Sequence, residues 1–144
     1  MFSIRTMQID DYASVVALMQ QTPGISLRDA DSRENTARYL QRNPGLSFVA
    51  CTGKEIVGCI MCGHDGRRGY LQHLLVAPSQ RRQGIARILL AHCLAALEQA
   101  GIQKSHIDVL KTNEDGAAFW QHQGWQLRSD IDRYSFIRSG NVNA

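Results

Sequence analysis

The sequence predicts a mixed α/β (α+β) fold, with a mostly antiparallel sheet of about seven strands flanked by four helices. Three observations carry that expectation. Gly53-Lys54 and the pair Asp65-Gly66 read as tight hairpin turns, which make the strands on either side antiparallel. Apolar residues at Ile85, Ile88, Leu89, Cys93, Ala96, Leu97 and Ala100 form one helical stripe. That helix separates two apolar strand-like segments, so it reads as a crossover between the fourth and fifth strands.

The remaining elements follow in chain order. Residues 3–8 read as a strand, and Asp10 is placed to cap a helix carrying Tyr12, Val15, Val16, Leu18 and Met19. An irregular connection over 22–30 leads to a short helix starting near Asp31. Glu34 suits a capping box there, and Asn43-Pro44-Gly45 ends the helix. Strands are expected over 47–52, 55–62 and 69–76, and the striped helix then ends at Gly101. A strand over 104–110, a helix over 114–123 ended by Gly124, and two short strands over 126–128 and 134–137 complete the order. The sequence shows no repeat or interdomain linker. It therefore predicts one domain over 1–138, with 139–144 a polar, frayed tail.

Composition narrows the function classes. The chain has 144 residues, enough for one domain with a core that needs no disulfide or metal staples. Its net charge of +3 is too mild to argue for nucleic acid, and its basic residues are local rather than spread along a face. No apolar run approaches membrane-spanning length and no leader pattern opens the chain, so the expected compartment is the cytoplasm. Cys59 and Cys62 form a C-x-x-C, but within a strand residues three apart face opposite sides. They cannot share one ion, and the expectation is reduced, buried thiols without a metal.

One segment describes an anion site. The apolar run Leu74-Leu75-Val76 is stopped by Pro78. Arg81, Arg82 and Arg87 then surround Gly84 and Ala86 where the striped helix begins. The first amides of a helix lack internal partners and carry the positive end of its dipole. Small residues there admit a phosphate, and arginines add charge-assisted bonds.

The stretch Arg81-Arg82-Gln83-Gly84-Ile85-Ala86 resembles the Q/R-x-x-G-x-G/A signature of the GNAT superfamily of acyl-CoA-dependent N-acyltransferases. Asn113, Ala117, Phe119-Trp120 and Gly124-Trp125 resemble that family's second signature, and the element order is similar across nearly the whole chain. The resemblance implies direct transfer of an acetyl group from acetyl-CoA to a primary amine, with no metal. It implies fourth and fifth strands that splay apart, so that Leu74, Leu75 and Val76 offer backbone groups to the pantetheine and the thioester. Gly84, Ile85 and Ala86 would give amides to the pyrophosphate, with Arg81, Arg82, Gln83 and Arg87 beside them. Asn113 and Trp120 would meet the cofactor's arm, although Asn113 also suits a plain helix cap.

The expected catalytic groups depart from the commonest pattern. Gln72 stands where many relatives have a glutamate base, and it cannot take a proton. Asp108 matches the carboxylate that some relatives carry on the fifth strand, and a central strand there would bury it. A backbone-bonded structural aspartate is the other reading. His73 is the second candidate base. Strand alternation, however, turns it away from Gln72. Trp120 replaces the usual tyrosine acid, and indole does not return a proton. Tyr70 and Tyr134 are available, and the acid is unassigned. The acceptor stays open between protein N-terminus, lysine and small-molecule amine, as does a homodimer. A non-catalytic acyl-CoA-binding module on the same fold is the alternative.

Overall fold

The computed structural model describes residues 1–144, which divide into two compact units, Met1–Ile107 and Asp108–Ala144. The first holds β1 (Ser3–Thr6), α1 (Tyr12–Gln20), α2 (Arg33–Arg42), β2 (Phe48–Thr52), β3 (Glu55–His64), β4 (Gly69–Val76), α3 (Ile85–Gln99) and β5 (Ser105–Ile107). The second holds α4 (Glu114–His122). The sheet runs β1-β2-β3-β4-β5, antiparallel up to β4 and parallel between β4 and β5. The α/β class and the four helices agree with the sequence expectation. The sheet has five strands rather than seven, because neither 126–128 nor 134–137 pairs into a ladder. Tyr134 and Phe136 carry strand preference, yet both are exposed, and preference without a partner does not make a strand.

Two local expectations also change. Asp10 does not cap α1; Asp11 takes the structural role instead, accepting from the Gln8 amide at 2.8 Å and pairing with Arg5 at 2.8 Å. Ser32 caps α2 by accepting from the Asn35 amide at 3.1 Å, so the helix starts later than Asp31.

The sheet buries both faces. On one side Val49, Cys51, Cys59, Met61 and Leu75 pack with Val15, Leu18 and Met19 of α1. On the other, α3 lies across β2, β3 and β4. Its Ile85 and Leu89 close on Gly58, where an added Cβ would sit 3.2 and 3.3 Å from their side chains. Cys62 lies against Cys93 of α3, whereas Cys59 faces α1, as strand alternation requires. Burial pushes the Cys59 thiol up to about 12, so it stays protonated and unreactive.

The Arg5 guanidinium and the Gln8 amide hold the Asp11 carboxyl below its usual range. A depressed folded-state value stabilises the protein above the unfolded carboxyl pKa of about 3.9, and the gain is lost as pH falls through the folded value. Asp11→Asn should therefore cost about 1–2 kcal/mol at pH 7. In urea melts that difference should shrink below about pH 4. An equal difference at pH 7 and pH 2.5 would exclude the ionised pair as its source.

Candidate active site

β4 is where the site begins, and it is not a regular strand. Gln72 sits opposite Met61 and Leu75 opposite Cys59, so three steps on β4 face two on β3. The extra residue makes a bulge, and His73 carries φ of 52° within it. Leu71 opposes Cys62 on the α3 face, while Leu75 opposes Cys59 on the α1 face. Residues four apart thus lie on opposite sides, which a regular strand forbids. The expectation that His73 points away from Gln72 fails for this reason.

Both side chains reach the α1–α2 side. His73 Nε2 lies 2.9 Å from Asp31 Oδ1, with each side chain only 15% exposed. The Gln72 side chain lies beside the buried Tyr39 hydroxyl of α2 without completing a hydrogen bond to it. Burial pushes that hydroxyl above the usual tyrosine value, with Gln72 opposing the shift. Asp31 closes the short turn Asp29–Asp31 and lines a cleft with Tyr12, Met19 and Met61. This pairing spans 42 positions of sequence. No local pattern announces it, and the sequence suggested Asp31 only as a helix start.

β5 pairs with β4 only as far as Leu71. Gln72 to Val76 therefore keep β3 on one side and have no strand partner on the other. Leu74 and Val76 are half-buried along that edge, while the Leu75 side chain is buried among the α1 contacts. Val76 O accepts from Arg81 Nε at 3.4 Å.

The loop after β4 turns through Pro78–Gln80 and enters α3 through two left-handed residues, Arg82 (φ 66°) and Gly84 (φ 77°). Gly84 is the N-cap, and no side chain caps the helix. The amides of Ile85, Ala86 and Arg87 have no partner within the helix. Ile85 is buried and fixes the helix start, Ala86 adds little bulk, and the Arg87 guanidinium reaches 3.4 Å from where a Gly84 Cβ would stand. Arg81, Arg82, Gln83 and Arg87 are exposed. The result is an uncapped, positively charged helix entrance.

In the second unit, Asn113 caps α4 by accepting from the Gly116 amide at 2.9 Å. The cap occupies Oδ1 and leaves the NH2 group to donate. Asp108 differs from its expectation. β5 stops at Ile107, so Asp108 is not in a strand; its side chain is 70% exposed and pairs with Arg133 at 3.0 Å. The burial expected of a central strand is absent. Trp120 is buried, with its ring 4.6 Å from that of Trp125 and 5.2 Å from that of Phe119. Tyr134 is exposed, as is Tyr70 in the first unit. The segment 22–30 is irregular apart from its final turn, and 128–133 holds an Arg128–Asp130 pair at 3.0 Å. No three His, Cys, Asp or Glu side chains come together as a metal site.

The model of the acetyltransferase (GNAT) family matches residues 12–125. The chain belongs to that family. It is 33% identical over 111 residues to an acetyltransferase of Pectobacterium atrosepticum, covering 77% of this chain and 78% of that protein. Among solved structures, the PaiA N-acetyltransferase of Thermoplasma acidophilum in complex with coenzyme A superposes with a TM-score of 0.80 at 19% identity, over 92% of this chain and 93% of that one. The ribosomal-protein-S18-alanine N-acetyltransferase of Escherichia coli gives 0.70 at 20% identity, over 86% and 77%. At such identities these two structures establish a shared fold. The GNAT assignment matches the resemblance carried by the Arg81–Ala86 and Asn113–Trp125 segments. No helix is long and apolar enough to cross a membrane.

Proposed function

We propose that this GNAT protein is an acetyl-CoA-dependent N-acetyltransferase of the cytoplasm, acting on a primary amine by direct attack within a ternary complex. The observation that carries the reading is the uncapped α3 entrance, where Gly84 is left-handed and arginines surround three open amides. Its donor set fits a pyrophosphate: backbone N–H groups supply direction and guanidinium groups supply charge. The edge of β4 beyond Leu71 fits an extended pantetheine, which would add to it as a strand does. When bound, acetyl-CoA supplies an activated thioester.

The remaining chemistry falls to the chain. Gly84, Ile85 and Ala86 would hold the pyrophosphate, with Arg81, Arg82, Gln83 and Arg87 around it. Leu74, Leu75 and Val76 would orient the thioester through their backbone groups, while Asn113 and Trp120 would meet the pantetheine. A base must deprotonate the acceptor ammonium. His73 takes first place in that role, because it is shielded, partnered and set on the bulge beside Leu74. Asp108, exposed and paired with Arg133, is the second. Residues 1–138 would form the acetyltransferase domain, and the acceptor would be a small-molecule amine, a lysine or a protein N-terminus.

Calorimetric titration should show saturable acetyl-CoA binding, within the range of about 1 µM to 1 mM common for enzyme substrates. An amine and peptide panel should then release thiol from acetyl-CoA. No binding would sink the reading. Binding without turnover of any amine would favour a non-catalytic acyl-CoA module. Asp108→Asn should retain most of the turnover; a fall of about a hundredfold or more would return the base to Asp108.

A further inference from the structure

Asp31 has a more constrained setting than a loop carboxylate needs. Its Oδ2 accepts from the Arg28 amide at 2.9 Å, and its backbone carbonyl accepts from the Tyr12 hydroxyl at 2.6 Å. Its Oδ1 then faces His73 Nε2 at 2.9 Å. The side chain of one partner is fixed from the turn before α2, while the other is held from the bulge of β4. The His73 carbonyl is itself engaged, accepting from Cys59 Sγ at 3.4 Å. A left-handed, non-glycine residue is uncommon, and such strain gathers where a side chain must be re-aimed for function. Here the bulge turns His73 onto the same face as Gln72.

The chemistry of the pair has one consequence. A carboxylate only accepts hydrogen bonds, so the imidazole must donate to it from Nε2. The lone pair of the neutral ring then stands on Nδ1, since the bond made by one nitrogen sets the state of the other. We infer that Asp31 is a positioning residue that fixes the tautomer and direction of His73, making Nδ1 the atom that receives the proton of the acceptor amine. The inference rests on the acetyltransfer reading above. In the step it describes, the acceptor ammonium gives one proton to His73 Nδ1, and Asp31 balances the imidazolium. The amine nitrogen bonds to the acetyl carbon, the carbon–sulfur bond breaks with its electron pair going to sulfur, and a second proton from nitrogen ends on the thiol. One hydrogen stays on the product amide.

Two measurements decide it. In wild-type protein labelled with 15N at its histidines, above the pH at which His73 is protonated, His73 should be the Nε2–H tautomer, with its signals assigned by their loss in His73→Gln. The opposite tautomer in the wild type overturns the inference, whatever any variant does. In steady-state kinetics His73→Gln should lose about 10²–10⁴-fold in kcat, the usual contribution of a general base. Asp31→Asn keeps the size and an acceptor oxygen but can turn its NH2 toward Nε2. It should lose at least about tenfold in kcat and shift the tautomer toward Nδ1–H, with the KM for acetyl-CoA unchanged. A pair that only fastened the turn to the sheet would lower the melting temperature and leave both kcat and the tautomer of the folded protein alone. If the wild type turns over an amine and both variants keep its kcat, this inference falls while the acetyltransfer reading stands. If the wild type binds acetyl-CoA and turns over no amine, that reading falls and takes the catalytic role of the pair with it.

Discussion

Gly84→Val should weaken acetyl-CoA binding at least about a hundredfold, which corresponds to about 2.7 kcal/mol. Gly84 has φ of 77°, a conformation that costs a β-branched residue on the order of 1–3 kcal/mol. Its Cβ would stand 3.4 Å from Arg87 Nη2, and the added methyls would crowd the space before the Ile85 and Ala86 amides. Strain and obstruction are separable. Gly53 has φ of 60° in the turn between β2 and β3, and a Cβ there meets nothing within 4 Å. Gly53→Val should therefore be strained to a similar degree and keep the wild-type affinity. Calorimetry on both variants, well below their melting temperatures, reads the difference. Equal losses of affinity would mean that general destabilisation, not the α3 entrance, controls binding.

Residues that act on their neighbours in sequence were the legible ones. Gly84 with its arginines, the hairpin turns at Gly53 and Asp65-Gly66, and the stripe of α3 all express short-range physics, and the α/β class followed from them. The opposite faces of Cys59 and Cys62 were legible because β3 keeps its alternation between them. The facing of His73 was not legible, because β4 does not keep it. A bulge is fixed by how two strands pair, and Gln72-His73-Leu74 carries no glycine or turn residue to announce one. Asp31 was missed because its partner is remote in sequence. For Asp108, the strand preference of Ile107-Asp-Val-Leu110 was legible, but the point where β5 loses its ladder with β4 was not. The segments 126–128 and 134–137 failed for the same reason, since a ladder is a property of two segments.

The two candidate bases illustrate how exposure alters chemistry. An isolated buried carboxylate in a strand would hold its proton near neutral pH, and that expectation made Asp108 attractive. An exposed carboxylate ionises readily and is a weak base toward an ammonium group. Imidazole is matched to neutral pH without any such help. Shielded on one side by Asp31, His73 needs only the correct tautomer, which a fixed carboxylate supplies.

Leu89→Ala should cost about 2–5 kcal/mol and lower the melting temperature by roughly 5–20 °C. Leu89 is fully buried and closes on Gly58 together with Ile85, the residue that follows the Gly84 cap. Leu94, on the same helix, is 38% exposed, so Leu94→Ala should cost less than about 1 kcal/mol. Similar losses for the two would mean that helix preference, not burial, sets the stability of α3. The cavity left by Leu89→Ala also has a defined filler. A Cβ on Gly58 would approach Leu89 Cδ1 at 3.3 Å, Ile85 Cγ2 at 3.2 Å and Leu75 O at 3.1 Å. Gly58→Ala alone must therefore crowd the helix against the sheet. Combined with Leu89→Ala, one of those contacts disappears and the methyl enters the vacated space. The double variant should be more stable than the sum of the single losses by about 0.5–3 kcal/mol, the coupling expected of residues that share a cavity. Strict additivity in urea melts would mean that α3 and β3 do not meet at Gly58 in solution. The support beneath the Gly84 entrance would then have to come from elsewhere along the helix.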